Sequence, residues 1–147
     1  LQPMRVVIYS TLQTPPTARL LDPPGRVFIY AAVDTPAAEA LRARDAEVRV
    51  LPNAQGKVDL AAALADLARE GVNELHVEAG EALSGSFVRE GLVDEYLIYV
   101  APRLLGDGRG LARLGPWAQL DKTVALRFHR VEPLGRDLRL LLRPAAA

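Results

Sequence analysis

The feature that most constrains the fold is an alternation of short apolar runs with helical segments. Continuous runs rich in β-branched and aromatic residues are typical of strands covered on both faces. The sequence predicts such strands at residues 5–10, 26–31, 47–51, 74–78 and 96–101. Because helices separate most of these runs, we expect a mainly parallel sheet with right-handed crossovers.

Three helices are predicted from their start and stop signals. A Thr-Pro pair at its start predicts a short Ala-rich helix over residues 35–44. Asp59 is a typical N-cap for a second helix, and Gly71 is a typical residue at its end. A third helix is predicted over residues 80–90, directly after the fourth strand.

The C-terminal part has a different pattern. Residues 123–131 and 137–143 alternate apolar side chains with Arg or His and are joined by a Pro- and Gly-containing turn. This predicts an antiparallel hairpin with one solvated face. The expected class is α/β, with a mainly parallel sheet and a C-terminal antiparallel hairpin. Its 147 residues suit a single domain over residues 1–147.

Charge and composition exclude several classes of protein. Eighteen basic residues balance eighteen acidic ones, which disfavours a binder of nucleic acid or of anionic membranes. No apolar run approaches the ~20 residues that span a bilayer, and no secretion signal opens the chain. The chain has no cysteine and two histidines, so we expect no metal site. A cytoplasmic enzyme or binding domain is the expectation that remains.

The most informative candidate site follows the fourth predicted strand. Glu78 is at the end of this strand, and Gly80 would let a ligand approach the backbone before a helix begins. Ligands of open α/β sheets bind beyond the carboxyl ends of strands, and the N–H groups of a first helical turn favour phosphate. Ser84 and Ser86 add hydroxyl donors. The alternative is a tight turn in which Glu81 complements the helix dipole, since the spacing matches no Walker or Rossmann fingerprint.

Other conspicuous residues have simpler interpretations. The Gly-rich stretch 106–110 precedes no clear helix, so we interpret it as a flexible connection. His76 is predicted to be a hydrogen-bonded core histidine in a buried strand. Ser10 is either a turn residue or a ligand contact, and Trp117 is predicted to pack, with a subunit interface as one possible place.

One continuous stretch resembles a known family. Residues 77–95 read VEAGEALSGSFVREGLVDE, and residues 96–106 read YLIYVAPRLLG. This stretch closely resembles the reductase domain of RibD, the bifunctional deaminase–reductase of bacterial riboflavin biosynthesis. The Leu-Val-Asp-Glu and Ala-Pro-x-Leu-Leu-Gly segments are distinctive. With the first strand and the closing hairpin, the likeness extends from about Arg5 to Leu142.

The resemblance implies a three-layer αβα fold like that of dihydrofolate reductase. It also implies NADPH-dependent reduction of 5-amino-6-(5-phosphoribosylamino)uracil, a pyrimidine ribonucleotide, to its ribitylamino product. By the matching motif, Glu78 would contact the substrate, and no catalytic residue is assigned. The residues that would contact NADPH are Ser10, Gly80, Glu81, Ala82, Leu83, Ser84, Gly85 and Ser86.

The chain departs from the family pattern in two respects. The zinc deaminase domain is absent, and so are the Lys-x-Ala-x-Ser-Leu-Asp-Gly strand and the Asp-Asp-Pro segment with which the reductase domain normally begins. We therefore expect residues 1–147 to be the C-terminal part of a RibD-like reductase domain, folded but inactive alone. The alternatives are another dihydrofolate-reductase-like oxidoreductase, and a non-catalytic fragment that binds nucleotide or dimerises.

A homodimer is expected through the C-terminal part. An isolated hairpin leaves an unpaired strand edge and a partly apolar face, and both favour a partner. Leu141 lies on the same side of the last strand as Arg139 and Arg143, and it is the one apolar residue on that charged side.

Overall fold

The computed structural model describes residues 3–116 and 123–145. These residues form two compact units, Leu1–Glu74 and Leu75–Ala147, each with its own three-stranded sheet. The expectation of a single domain stays a prediction. Trp117, predicted to pack, lies outside the described residues.

The sheet of the first unit is parallel, as predicted. Its strands are β1 (Arg5–Ile8), β2 (Val27–Ala31) and β3 (Ala46–Val50), in the order β1-β2-β3. β2 is the central strand, and each of its five residues is buried. This is the outcome expected for a run without a single polar residue, since both faces of the strand are covered.

The described residues of the first unit include two α-helices and a short 3₁₀ helix at Arg19–Leu21. α1 spans Ala37–Arg42 and α2 spans Leu60–Arg69. The predicted start of α2 is confirmed, because the Asp59 carboxylate accepts a hydrogen bond from the Ala62 N–H at 2.9 Å. The helix ends before Gly71, whose φ of +86° lies in the left-handed region that favours glycine.

The core of the first unit combines side chains of β2, α1 and the loop after β1. Burial of these apolar groups is the main favourable contribution to the stability of the unit. The buried members of the cluster are Leu12, Leu21, Val27, Ile29, Ala31, Ala38, Leu41 and Ala46.

In residues 75–116 and 123–145, the second unit has one helix and the predicted hairpin. α3 spans Glu81–Arg89, and the strands are β4 (Tyr96–Val100), β5 (Leu126–Leu134) and β6 (Asp137–Pro144). The strands are antiparallel in the order β4-β6-β5. The turn between β5 and β6 contains Gly135, whose φ of +62° is again left-handed. The α/β class and the C-terminal hairpin are therefore confirmed.

Two expectations about the sheet are wrong. The strand at residues 96–100 pairs antiparallel with β6 and is only partly buried, whereas we predicted a buried strand of the parallel sheet. Residues 74–78 form no strand, and neither sheet of the described residues pairs with them. An extended segment becomes a strand only when a neighbour satisfies its N–H and C=O groups. Only Leu75 and Val77 are apolar in this segment, which gives it little reason to be buried.

No helix of residues 3–116 and 123–145 combines the length and apolar character needed to cross a membrane.

Candidate functional site

The first turn of α3 presents backbone N–H groups that no other described residue occupies. Gly80 is the N-cap, with extended backbone angles (φ −70°, ψ 163°), and no side chain caps the helix. The first helical hydrogen bond runs from the Ser84 N–H to the Gly80 carbonyl at 3.1 Å. Within the described residues, the N–H groups of Glu81, Ala82 and Leu83 therefore have no acceptor. Such a turn attracts anions, because the helix dipole adds to the open donors.

Space is available next to this turn. A Cβ atom built on Gly80 would meet no atom within 4 Å, and the φ of Gly80 is one that any residue adopts. Packing within the protein therefore does not require glycine here. The space beside the Gly80 backbone is therefore open.

The two hydroxyls predicted as phosphate donors already have partners. The Ser84 hydroxyl donates to the Ala79 carbonyl at 3.2 Å, and the Ser86 hydroxyl donates to the Ala82 carbonyl at the same distance. The Ser86 oxygen also accepts a hydrogen bond from Arg89 at 3.0 Å. Each hydroxyl would have to rotate to donate to a phosphate.

A short segment of residues 110–113, which we call the strap, is attached to α3. The Gly110 N–H donates to Oε2 of Glu81 at 3.2 Å, and the Arg113 guanidinium donates to Oε1 of the same carboxylate. The Arg113 N–H donates to the Glu81 carbonyl at 2.7 Å. At the other end of the helix, Arg89 donates to the Arg113 carbonyl. The connection predicted to be flexible covers residues 106–110. Its last residue, Gly110, is hydrogen-bonded to Glu81 of α3.

Gly85 is the place where the strap passes closest to the helix. A Cβ atom built there would lie 2.8 Å from the carbonyl carbon and 2.9 Å from the backbone nitrogen of Arg113. The face of Gly85 is thus covered by the strap. Sequence reasoning missed this contact, although Glu81, Gly85 and Arg89 recur every four residues and so share one helix face.

The strap also sets the charge at the start of α3. The hydrogen bond from Arg113 is the largest cause that lowers the pKa of Glu81 below its ordinary value. The positive charges of Arg113 and Arg109 and the Gly110 N–H act in the same direction, and partial burial opposes them. The Glu81 side chain is 26% exposed and the Arg113 side chain 67%. Glu81 is therefore ionised, and the positive charge of Arg113 compensates its negative charge. This compensation weakens the repulsion between Glu81 and an anion at the same turn.

Glu78 lies in the extended segment before α3 and is exposed. Its Oε1 is 3.5 Å from Nε2 of His76, and both side chains are largely in solvent, at 85% and 62% exposure. The prediction that His76 is a core histidine is therefore wrong, because its segment belongs to no sheet. The Glu78 carboxylate is free to accept hydrogen bonds from a ligand.

Ser10 belongs to the first unit, whereas the other predicted site residues belong to the second. It follows β1, and its hydroxyl oxygen accepts a hydrogen bond from the Val58 N–H at 3.2 Å. Its carbonyl accepts another from the Ala32 N–H at 3.0 Å. These contacts join the loop after β1 to the loops that follow β2 and β3.

A charged cluster on the first unit was not predicted. Asp66 of α2 accepts hydrogen bonds from the Tyr30 hydroxyl at 2.7 Å, from Arg69 at 2.9 Å and from Arg49. Burial raises the pKa of Tyr30, and the hydrogen bond to Asp66 raises it further. Because Asp66 of α2 binds Tyr30 of β2 and Arg49 of β3, we interpret this cluster as a clasp that fastens α2 to the sheet.

The part of the chain that the structure describes contains no group of three or more His, Cys, Asp or Glu residues that could hold a metal ion.

Comparison with known proteins identifies relatives along nearly the whole chain. The family model of the RibD C-terminal domain matches residues 1–140. The riboflavin biosynthesis protein RibD of Escherichia coli K12 is 35% identical over 144 residues, which are 96% of this chain and 38% of that protein. Another relative is the 5-amino-6-(5-phosphoribosylamino)uracil reductase of Buchnera aphidicola subsp. Acyrthosiphon pisum. It is 24% identical, over 97% of this chain and 68% of its own length.

A solved structure agrees with these sequence relatives. RibD of Acinetobacter baumannii superimposes with a TM-score of 0.79 at 26% identity, over 97% of this chain. The chain corresponds to 38% of that protein and to 38% of the Escherichia coli protein, so it spans well under half the length of these two RibD proteins.

Proposed function

Because the chain belongs to the RibD C-terminal domain family, we propose that it serves the reductase reaction of riboflavin biosynthesis. In this reaction 5-amino-6-(5-phosphoribosylamino)uracil is reduced to the ribitylamino product with NADPH. A relative that aligns with 97% of this chain, at 24% identity, is named for that reductase activity. Family membership over residues 1–140 is the observation that carries the proposal.

We place the diphosphate of NADPH at the first turn of α3. Three features support this placement: the open N–H groups of Glu81, Ala82 and Leu83, the free space at Gly80, and the compensated charge of Glu81. The residues present therefore fit an anionic nucleotide. After rotation, the hydroxyls of Ser84 and Ser86 would donate to the diphosphate. Gly85 would contribute indirectly, because it lets the backbone of the strap pass close to α3. The assignment of Ser10, which belongs to the first unit, as a cofactor contact stays a prediction.

NADPH supplies a hydride when it is bound, and the residues of this chain would position the reactants. Backbone N–H groups of α3 would fix the diphosphate, and hence the orientation of the cofactor. Glu78 would fix the substrate, since its exposed carboxylate accepts hydrogen bonds from ribose hydroxyls or pyrimidine N–H groups.

Substitution of Gly80 tests the placement of the cofactor. Gly80→Val places a branched side chain beside the first turn, where a Cβ atom meets nothing within 4 Å. We expect NADPH affinity, measured by calorimetric titration, to fall by at least about tenfold, the cost of one hydrogen bond to a charged group. Gly108→Val is the matched control, because a Cβ atom there also meets nothing within 4 Å. Equal affinities of the two variants would contradict the placement.

A homodimer through the antiparallel sheet completes the proposal. β4 and β5 are the edge strands of this sheet within the described residues, and β4 has no charged side chain. Large apolar side chains are exposed along the sheet, which is typical of a surface that binds a partner. They are Leu97, Tyr99, Val100, Phe128, Val131, Leu134 and Leu138.

A further inference from the structure

The strap holds both oxygens of the carboxylate in the first turn of α3. Oε1 of Glu81 accepts from Arg113, and Oε2 accepts from the Gly110 N–H. As a result, the carboxylate does not cap its own helix, although it is next to the open N–H groups.

A free carboxylate at this position would oppose an anionic ligand in two ways. The first-turn N–H groups attract it just as they attract phosphate, so it would compete for the same donors. Its negative charge would also repel a diphosphate across a short distance. Arg113 removes both effects, since it binds the carboxylate and compensates its charge.

We infer that Arg113 is a positioning residue for the cofactor, which acts by holding the Glu81 carboxylate against the strap. This inference rests on the proposed function, because it assumes that the nucleotide binds at the first turn of α3. It adds a role for a residue outside the predicted binding motif of residues 80–86. Arg113 itself need not touch the cofactor.

The local structure keeps Arg113 in place from three directions. Its N–H donates to the Glu81 carbonyl at 2.7 Å, and its carbonyl accepts from Arg89. Gly85 allows the backbone of Arg113 to pass where a Cβ atom would clash. The guanidinium is therefore directed to Glu81 by a backbone that is fixed on the helix, and the entropic cost of forming the pair is reduced.

A double-mutant cycle tests the inference in the full 147-residue chain. NADPH dissociation constants are measured by titration for the unsubstituted protein, Arg113→Met, Glu81→Gln and the double variant. We expect Arg113→Met to weaken binding by about fivefold, the upper range for an exposed ion pair. Arg113→Met should have no further effect in the Glu81→Gln background, so the double variant should bind NADPH as tightly as Glu81→Gln does. Arg136→Met, at the turn between β5 and β6, is the control for the loss of one positive charge.

Restoration by Glu81→Gln separates a positioning role from a structural one. If Arg113 only stabilised the fold, removal of Glu81 as well would not restore affinity. Thermal unfolding of each variant establishes that it is folded. The effect of Arg113→Met should also shrink at high salt, because the repulsion is screened.

The outcomes distinguish this inference from the proposed function. If the unsubstituted chain does not bind NADPH, the proposed function and the inference both fail. If it binds, and Arg113→Met equals Arg136→Met, the inference alone is overturned. A loss in Arg113→Met that Glu81→Gln does not restore also overturns it, because Arg113 would then not act through Glu81.

Discussion

A Cβ atom on Gly85 would lie 2.8 Å from the carbonyl carbon of Arg113, so these two residues meet backbone to backbone. Gly85 is within α3 and is buried, although glycine is an unfavourable residue inside a helix. The close approach explains its presence, because a larger residue would displace the strap from the helix.

We expect Gly85→Ala to destabilise the second unit. Helix propensity alone would make this substitution stabilising by up to about 1 kcal/mol, whereas the clash costs about 1–3 kcal/mol. Chemical denaturation should therefore give a lower free energy of unfolding. Gly108→Ala, in open space, should leave that free energy unchanged or slightly higher. A stabilised Gly85→Ala variant would mean that the strap does not pack on α3.

The clasp of the first unit should make the protein sensitive to acid. Burial raises the pKa of Asp66, but the hydrogen bonds from Tyr30, Arg49 and Arg69 outweigh it, so the pKa lies below its ordinary value. A group with a lowered pKa in the folded state stabilises the fold above its unfolded pKa of ~3.9. We expect this contribution to disappear as the pH falls below that value towards the lowered pKa, which a series of unfolding curves over pH would measure.

Asp66→Asn tests whether this carboxylate is responsible. The variant should lose about 1.5–3 kcal/mol at neutral pH, the range for hydrogen bonds to a charged group, and show a flatter pH profile. Asp34→Asn is the control, because Asp34 pairs with Arg42 only at 3.7 Å on an exposed surface. It should change stability by less than about 1 kcal/mol. A pH profile unaltered by Asp66→Asn would assign the acid sensitivity to other groups.

Glu78 should affect the substrate and not the cofactor. Glu78→Gln keeps the shape of the side chain but removes the charge that strengthens its hydrogen bonds. We expect affinity for the pyrimidine ribonucleotide to fall by about tenfold or more, with NADPH affinity unchanged. Glu74→Gln, in the same exposed segment, should affect neither ligand. Loss of NADPH affinity in Glu78→Gln with normal substrate binding would reverse the assignment.

The oligomeric state should depend on the antiparallel sheet. Phe128 of β5 is 66% exposed, so Phe128→Glu removes no buried side chain but places a charge in the proposed interface. Sedimentation at tens of micromolar should show a dimer for the unsubstituted chain and for Val33→Glu, and a monomer for Phe128→Glu. A monomeric unsubstituted chain under these conditions would refute the homodimer.

Local patterns predicted the elements whose causes are local. β2 follows from a run of five apolar residues, and the start of α2 follows from Asp59, which caps a residue only three positions away. Residues 74–78 were predicted wrongly because pairing with a neighbour, and not composition alone, decides whether a strand forms.

Contacts between residues that are far apart in the chain leave no local signal. Glu81 and Arg113 are 32 residues apart, and Tyr30 and Asp66 are 36 residues apart. A sequence pattern can indicate that a helix start favours phosphate, but it cannot tell which distant arginine compensates a nearby carboxylate. The first turn of α3 was thus predictable, and the strap was not.

Backbone amide shifts measured by NMR during titration with NADPH test the central claim most directly. The account predicts that the amide signals of Glu81, Ala82 and Leu83 move in a saturable manner, because their open N–H groups receive the diphosphate. The first-turn amides of α2, which include the Ala62 N–H already capped by Asp59, should stay in place. Saturable binding that leaves the α3 amides unmoved, or no binding at all, would contradict the account.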